Sequence, residues 1–461
     1  KLNRQLEEPL VVASGTLPSW SVYLPQHFPM VFALDTRLFF LQLTSFGYSR
    51  LINHWQQRSN QENEGNHNGN SSLPQLGRPV RQKVRLSRKQ MLQSAVKMLE
   101  MYGLTPGILE IEYFDEVGSG LGPTLEFYLS VSKEFSRKRL HLWRATSDDN
   151  IEDDEYVRGL LFPAPIAHLL SENASKVLFF FSVLGKFIAR SMLDLRIIDF
   201  NFNPVFLQLV LGLNGKELSL EQVDKQLASS IIHLKKYLAA FGQVRGAQKR
   251  NQLVVDGCSL EDLALTFELP GYCKYDLGPN TGEPVDESNL AEFVDAVTQA
   301  TLDVSQQVAA FREGFSKVFP ISSIGIFLPE ELAAMFGLAK EDWLLSTLTA
   351  SIKADHGYTK ELDAIQLLLR IMERFLDAER RAFLQFLTGA PKLPVGGFKA
   401  LRPELTVVKK PAEDGLTSDD YLPSVMTCAN YLKLPAYLLE EVMQHKLQQA
   451  MYEGAGAFLL S

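Results

Sequence analysis

Near its C-terminus the chain reads Leu422-Pro423-Ser424-Val425-Met426-Thr427-Cys428-Ala429-Asn430-Tyr431-Leu432-Lys433-Leu434-Pro435-Ala436-Tyr437, and this stretch decides how the fold is interpreted. Polar Thr427 and Asn430 flank a cysteine, and a proline stands near each end of the segment. Two prolines favour a rigid, exposed segment. A reactive thiol needs solvent access and polar neighbours, whereas most free cysteines are buried and inert. From spacing alone Cys428 is therefore a candidate nucleophile, and a structural role stays open.

Cysteine use is sparing. The chain has 3 cysteines, Cys258, Cys273 and Cys428, and no CxxC pair. Widely spaced cysteines in odd number predict a reducing compartment, the cytoplasm or the nucleus, rather than a disulfide framework. They also cannot build a Cys/His zinc module, which needs closely spaced pairs of ligands. We therefore expect no metal and no cofactor, and any group transfer would use a thiol directly.

Composition narrows the classes of protein. The chain has 461 residues, 46% hydrophobic and 22% charged, which is typical of globular domains. A net charge of -8 argues against a nucleic-acid partner. The apolar run 177–184 is much shorter than the roughly 20 residues that cross a bilayer, so no membrane partner is expected. No initiator methionine or signal peptide opens the chain, which predicts a fragment of a longer protein.

Changes in amino-acid composition along the chain predict how it is divided into segments. Residues 1–56 are mixed and predict an extension packing near the main domain, whereas the Asn/Gly/Ser-rich segment 57–78 predicts a flexible linker. A basic cluster between Arg78 and Lys89 is interpreted as a solvated strand face and helix start. Apolar periodicity and flanking residues predict a strand at Ile108–Phe114 and these helices: Val177–Leu193, Glu221–Phe241, Glu287–Phe319, Pro329–Phe336, Ile365–Leu376, Glu379–Leu387 and Leu438–Glu453.

The pattern Leu-Pro-x-x-x-Thr-Cys-x-Asn-x-Leu-x-Leu-Pro-x-Tyr over 422–437 resembles the active-site signature of HECT ubiquitin ligases. Further stretches are similar to other parts of that family, in the same order, so that the resemblance covers about 80–461: 109–127 with Glu126, 325–332, 355–359, 383–389 and 393–398. The pair Val425-Met426 and both chain ends resemble the ubiquitin-fusion-degradation ligases of fungi and their thyroid-receptor-interacting animal counterparts. Two positions depart from the wider family pattern: Met426, where many members have His, and Leu125, where many have Arg.

The resemblance implies an α+β, bilobal fold. The larger, mostly helical N-lobe would span 79–352, with a small β-containing subdomain at about 205–290 that binds the conjugating enzyme. A hinge at 353–357, including Asp355, His356 and Gly357, would lead into a small α+β C-lobe at 358–461. Gly357 and its polar neighbours suit a pivot.

The resemblance also implies a ubiquitin-protein ligase that carries ubiquitin as a thioester on Cys428. Thr427 and Asn430 would support the cysteine, Phe458 would be a hydrophobic anchor, and the terminal carboxylate of Ser461 would orient the acceptor lysine. The implied partners are a charged conjugating enzyme, donor and acceptor ubiquitin, and protein substrates. The branch implies atypical or branched chains for proteasomal degradation.

Two other readings stay open. A cysteine hydrolase would need His445 or His356 within hydrogen-bond reach of Cys428. In a non-enzymatic helical scaffold, Cys428 would be structural.

Overall fold

The computed structural model describes residues 1–8, 11–12, 14–47, 50, 80–114, 121–144, 156–157, 159–166, 171–213, 218–243, 253–272, 275–338, 341–394, 396–401, 403–412 and 416–454. The predicted linker at 57–78 lies outside them. The chain divides into two compact units. Unit 1 comprises residues 1–134, 190–200 and 323–461, and unit 2 comprises 135–189 and 201–322.

The helices are, in chain order, α1 Leu2–Leu6, α2 Ser19–His27, α3 Leu34–Ser45, α4 Met91–Tyr102, α5 Leu121–Phe135, α6 Ser171–Leu193, α7 Pro204–Val210, α8 Leu220–Val223, α9 Lys225–Gln243, α10 Leu290–Leu302, α11 Ser305–Ser316, α12 Pro329–Ala333, α13 Leu345–Ser351, α14 Asp363–Glu373, α15 Asp377–Thr388 and α16 Glu440–Gly454. The strands are β1 Arg81–Leu86, β2 Ile108–Tyr113, β3 Val254–Val255, β4 Cys258–Ser259, β5 Lys353–Asp355, β6 Thr406–Lys410, β7 Ser424–Met426 and β8 Tyr431–Pro435.

In unit 1, β1 and β2 pair in parallel, and α4 joins them. Alternate residues of β2, among them Leu109 and Ile111, are fully buried, as expected for a sheet with one buried face. On the other face, basic side chains of β1 pair with acidic side chains of β2: Arg81 with Glu110, and Lys83 and Arg85 with Glu112. These exposed pairs confirm that this part of the basic cluster is a solvated strand face.

The described residues near the N-terminus are bound into unit 1 by two buried arginines. Arg37 on α3 donates to both carboxylate oxygens of Glu331, at 2.5 and 2.7 Å, and to the Ile326 carbonyl oxygen at 2.8 Å. Arg50 donates to Asp194 and to the Gly107 carbonyl oxygen. Because unpaired buried charges are costly, these bonds require the N-terminal segment and its partners to fold together.

Unit 2 is built on a close crossing of α6 and α11. Gly185 and Gly314 lie at the crossing, where each backbone touches the other helix. Around it lies an aromatic core in which ring pairs meet edge to face or tilted: Trp143, Phe181, Phe202, Phe206 and Phe311. Two glycines therefore set how closely the central helices pack.

A second core of unit 2 occupies residues 220–300. It is formed by α8, α9, α10 and the segment around the antiparallel pair β3–β4, with these buried aromatic members: Tyr237, Phe241, Phe267 and Phe293. The helices predicted at Glu221–Phe241 and Glu287–Phe319 are each divided. Asp224 accepts from the Leu227 N–H at 2.9 Å, and Asp303 accepts from the Ser305 N–H at 3.2 Å. Aspartate side chains compete with the helical backbone and begin a new helix.

The C-terminal part of unit 1 holds a four-stranded sheet in the order β5-β6-β8-β7. The first three strands are parallel, and β7 is antiparallel to β8. Helices α14, α15 and α16 pack with the sheet around one core, which extends from Trp343 to Met451. All three helices were predicted to within three residues at either end. Among the described residues, no helix combines the length and apolarity needed to span a bilayer.

Candidate active site

Cys428 lies in the turn of a β-hairpin. Strands β7 and β8 pair with Met426 opposite Tyr431, and Thr427–Ala429 between them form one turn of 3-10 helix. Met426 is exposed, and Thr427 and Ala429 are half-buried. The segment predicted to be rigid and exposed is therefore a β-hairpin that is solvent-accessible around the turn, whereas Asn430 and, in β8, Leu432 and Leu434 are buried.

Asn430 closes the turn. Its backbone is left-handed, with φ 51 and ψ 39, a conformation that asparagine tolerates better than most residues. Its side-chain Nδ2 donates to the Pro403 carbonyl oxygen at 2.7 Å, and its own carbonyl accepts from the Thr406 N–H at 3.1 Å. Asn430 is buried. It therefore fixes the direction in which the chain leaves the turn and enters β8.

The approach to β7 is fixed by Lys410 and by Tyr437, the last residue of the signature, through contacts that the sequence pattern did not predict. Tyr437 Oη donates to the Tyr421 carbonyl oxygen at 2.6 Å. Lys410 Nζ donates to the Leu422 carbonyl oxygen at 2.9 Å and lies 5.5 Å from the centre of the Tyr421 ring. Burial raises the pKa of Tyr437, which therefore remains a donor. Bonds from distant side chains to backbone carbonyls leave no local pattern in the sequence, so they could not be predicted.

The predicted hinge residues lie within the sheet. Residues 353–355 form β5 and pair with β6, and the His356 carbonyl accepts from the Lys409 N–H at 3.3 Å. Gly357 has φ +95, and a Cβ there would lie 3.3 Å from the Lys409 Cβ. Upstream, Trp343 already belongs to the same core. A pivot at 353–357 would have to open the β5–β6 pairing, so the hinge stays a prediction.

The strand order argues against His356 as a base for Cys428. His356 follows β5 at one edge of the sheet, and Cys428 follows β7 at the other. Three strand spacings separate the two edges, roughly 14 Å. The register also places them at opposite ends of the parallel strands. His445 is exposed on α16. Phe458 and Ser461 lie outside the described residues.

Lys392 is an unpredicted buried cation in this part of unit 1. It is 5% exposed, and its Nζ donates to the Met335 carbonyl oxygen at 3.1 Å. Burial lowers the pKa of Lys392 to about 8, while the nearby Asp199 and Glu341 carboxylates oppose that shift and Arg381 adds to it. Arg381 itself pairs with Asp199 at 2.6 Å. Lys392 therefore enters this polar cluster at a cost in stability.

We expect Lys392→Met to raise the free energy of unfolding. A pKa of about 8, against about 10.4 for a free lysine, corresponds to a penalty of about 3 kcal/mol. The unfolded chain holds the proton more tightly, so the penalty is complete below pH 8 and is relieved as the pH rises towards 10.4. Losing the donor to the Met335 carbonyl offsets about 1 kcal/mol. Urea unfolding at pH 7 should show a gain of about 1–2 kcal/mol that shrinks above pH 8.

Lys97→Met is the matched control, because Lys97 is exposed on α4 of the same unit. It should change stability little at any pH in this range. A Lys392→Met protein that is less stable than the wild type at pH 7 would show that the hydrogen bond outweighs the cost of burial.

The chain is similar to known proteins over its whole length. The sequence model of the HECT-domain (ubiquitin-transferase) family matches residues 129–461. Ubiquitin fusion degradation protein 4 of Saccharomyces cerevisiae is 46% identical over 482 residues, covering 100% of this chain and 31% of the relative. E3 ubiquitin-protein ligase UPL3 of Arabidopsis thaliana is 40% identical over 503 residues, covering 100% of this chain and 26% of the relative. E3 ubiquitin-protein ligase TRIP12 of Danio rerio is 36% identical over 486 residues, covering 100% of this chain and 24% of the relative.

An α+β chain with a cysteine in a fixed hairpin turn, matched by this family over most of its length, is a ubiquitin-transferase domain. The chain belongs to the HECT family, and its relatives fit the ubiquitin-fusion-degradation and TRIP12 branch. It spans about a quarter to a third of the length of these relatives.

Proposed function

We propose that Cys428 accepts ubiquitin as a thioester from a charged conjugating enzyme and passes it to a lysine of a substrate or of another ubiquitin. One observation carries the proposal: the cysteine stands in the Thr427–Ala429 turn, which Asn430 locks to the sheet and which solvent-accessible residues flank. A nucleophile on a rigid turn meets an incoming thioester without reordering the backbone.

In the first step the Cys428 thiolate attacks the carbonyl carbon of the ubiquitin C-terminal thioester. A new C–S bond forms, the bond to the conjugating enzyme breaks, and that enzyme leaves as a thiolate. The exchange converts one thioester into another, so it needs no external energy source and only a modest thiolate fraction. Asn430 is a positioning residue in this step, because its side chain anchors the turn to the Pro403 carbonyl oxygen. Thr427 is our second candidate for this role, on the family resemblance.

In the second step an acceptor lysine amine attacks the same carbonyl carbon. An isopeptide bond forms, the Cys428 thiolate leaves, and the attacking nitrogen loses a proton to a general base. The carboxylate of Ser461 is our candidate for orienting that amine, and Phe458 is our candidate anchor for the transfer geometry. Both assignments rest on the family resemblance.

The proposed docking region for the conjugating enzyme is the segment at about 205–290. It is supported by a hydrophobic core of its own in unit 2 and by exposed apolar side chains at Ile232 and Val254. Exposed apolar residues over an independent core are typical of protein interfaces. On the branch resemblance, we propose that the domain builds atypical or branched polyubiquitin for proteasomal degradation. The reaction would take place in the cytoplasm or the nucleus.

The test is a single-turnover assay with ubiquitin-charged conjugating enzyme, analysed on a non-reducing gel. The wild type should form an adduct one ubiquitin heavier, and dithiothreitol should remove it. Cys428→Ala should abolish the adduct, because no thiol remains in the turn. Thermal unfolding of Cys428→Ala should match the wild type, so that loss of the adduct is not loss of the fold.

Cys258→Ala is the matched control, because Cys258 is a half-buried free cysteine in unit 2. It should keep the adduct. Release of free ubiquitin from conjugates without an adduct would favour the hydrolase. A chain that forms no adduct and releases nothing would favour the scaffold.

A further inference from the structure

Unit 2 contains an open cleft. Its volume is about 710 Å³, within the range of ligand-binding pockets. It lies between the end of α7, the α10–α11 connection and the first turns of α11. Aliphatic side chains line much of it: Leu209, Leu218, Leu302, Val304 and Val308. Such walls lower the local dielectric and strengthen any charge interaction made inside.

The Arg312 guanidinium lies in this cleft, and not all of its N–H donors are engaged in hydrogen bonds. Its Nη1 donates to the Val210 carbonyl oxygen at the end of α7. Gly212 lies beside this guanidinium in a left-handed backbone conformation, with φ +75. Among the described residues, Nε and Nη2 have no hydrogen-bond partner, and neither is a buried atom. No carboxylate in the described part of the chain lies within ion-pair distance of Arg312. Several N–H groups in a fixed planar fork therefore remain available.

Asp303, the acidic side chain in the cleft, does not pair with this guanidinium. The Asp303 Oδ1 accepts from the Ser305 N–H at 3.2 Å and from the Ser305 hydroxyl at 2.7 Å. These bonds hold the carboxylate beside Ser305, the first residue of α11. The cleft thus combines an unpaired cation, an engaged anion and aliphatic walls.

We propose that this cleft binds a short extended peptide segment of a partner protein, with an Asp or Glu between aliphatic residues. The carboxylate would take the free edge of the Arg312 guanidinium, where planar bidentate pairing is strongest. Neighbouring aliphatic side chains would cover Leu209 and Leu302. The proposal is tested separately from thioester formation at Cys428, since the residues changed in its test, Gln306, Ala309 and Arg312, lie outside that turn and outside the 205–290 segment assigned to the conjugating enzyme.

The test is fluorescence anisotropy with a labelled peptide, Gly-Leu-Glu-Leu-Leu-Gly, titrated with the full chain. We expect saturable binding by the wild type. The Gln-for-Glu peptide should bind about tenfold more weakly, because it loses the charge-assisted pair. A peptide with Ser in place of every Leu should also lose about tenfold, because it leaves the aliphatic walls uncovered.

A matched pair of variants localises the binding. Ala309→Glu adds a negative charge at an exposed residue that lines the cleft, and Gln306→Glu adds the same charge to an exposed residue of α11 outside it. Only Ala309→Glu should abolish binding, and both variants should melt like the wild type. Arg312→Lys keeps a charge but not the fork, and it should weaken binding severalfold.

Absence of saturable binding at millimolar concentration would overturn the proposal. Equal binding of the Glu and Gln peptides, or of the Leu and Ser peptides, would overturn it as well. The same holds if both glutamate variants behave alike. Thioester formation on Cys428, assayed separately, should be intact in every variant, so failure here is distinct from failure of the proposed function.

Discussion

A Gly314→Ala variant is expected to lose the native packing of unit 2, with a fall in the free energy of unfolding of about 4 kcal/mol or more. The added methyl group would overlap the Ser182 carbonyl oxygen of α6. At the same crossing, a methyl group on Gly185 would overlap the Phe311 carbonyl oxygen. A backbone oxygen inside a helix cannot rotate away, so the two helices must separate. Separation would loosen the aromatic contacts around them, such as Phe206 with Phe311, now 5.5 Å between ring centres.

Urea unfolding followed by circular dichroism measures this effect. Gly242→Ala is the matched control, because Gly242 is exposed on α9 of the same unit and no atom lies within 4 Å of its added Cβ. Alanine is the better helix former, so this variant should be slightly more stable, by up to about 1 kcal/mol. Similar stabilities for the two variants would mean that the helices do not cross at Gly314 as described.

The contrast between these glycines shows what the sequence could reveal. Apolar periodicity predicted a helix at Val177–Leu193, and the structure has it at Ser171–Leu193. The prediction was possible because a helix with one buried face has apolar residues at regular spacing. The same pattern does not distinguish a glycine at a helix crossing from a glycine on the surface. That difference depends on a partner helix far along the chain. Close helix contacts were therefore beyond prediction.

At the candidate site, too, local features could be predicted and contacts between distant segments could not. A rigid, accessible segment around Cys428 could be predicted because two prolines, a threonine and an asparagine stand close together in the sequence, but its β-hairpin form was not predicted. The pairing of β5 with β6 could not, since a three-residue strand has no periodic signal and its partner begins at Thr406. The family resemblance placed a hinge at 353–357, where β5 begins. Lys392 gave no signal either, because a lysine is ordinarily exposed.

The buried carboxylate of Asp194 leads to the second large expected effect. Asp194 accepts from Arg190 Nε at 2.8 Å, Arg50 Nη2 at 2.5 Å and Tyr128 Oη at 3.0 Å. The side chains of Asp194 and Arg190 are fully buried. Burial lowers the pKa of Arg50 to about 10, and Asp194 opposes that shift. One carboxylate thus compensates two buried guanidinium groups of unit 1.

We expect Asp194→Asn to lower the free energy of unfolding by about 3–5 kcal/mol, because it leaves uncompensated charge in the interior. Asparagine keeps the shape, so the loss reports charge rather than packing. Asp256→Asn is the control, since Asp256 pairs with Lys236 at 2.7 Å on the surface, and a solvated pair of this kind should leave stability nearly unchanged. Urea unfolding of both variants gives the comparison.

The double variant Arg50→Met with Asp194→Asn separates charge from other causes. If the loss in Asp194→Asn comes from unpaired cations, removing one of them should restore part of the stability, and the two effects should not add. Additive losses would instead mean that Asp194 acts through its hydrogen bonds alone. The distinction matters for the N-terminal segment, because Arg50 is its link to this cluster. A non-additive result would make the segment before residue 51 an energetic part of unit 1, although the matched family region begins only at residue 129.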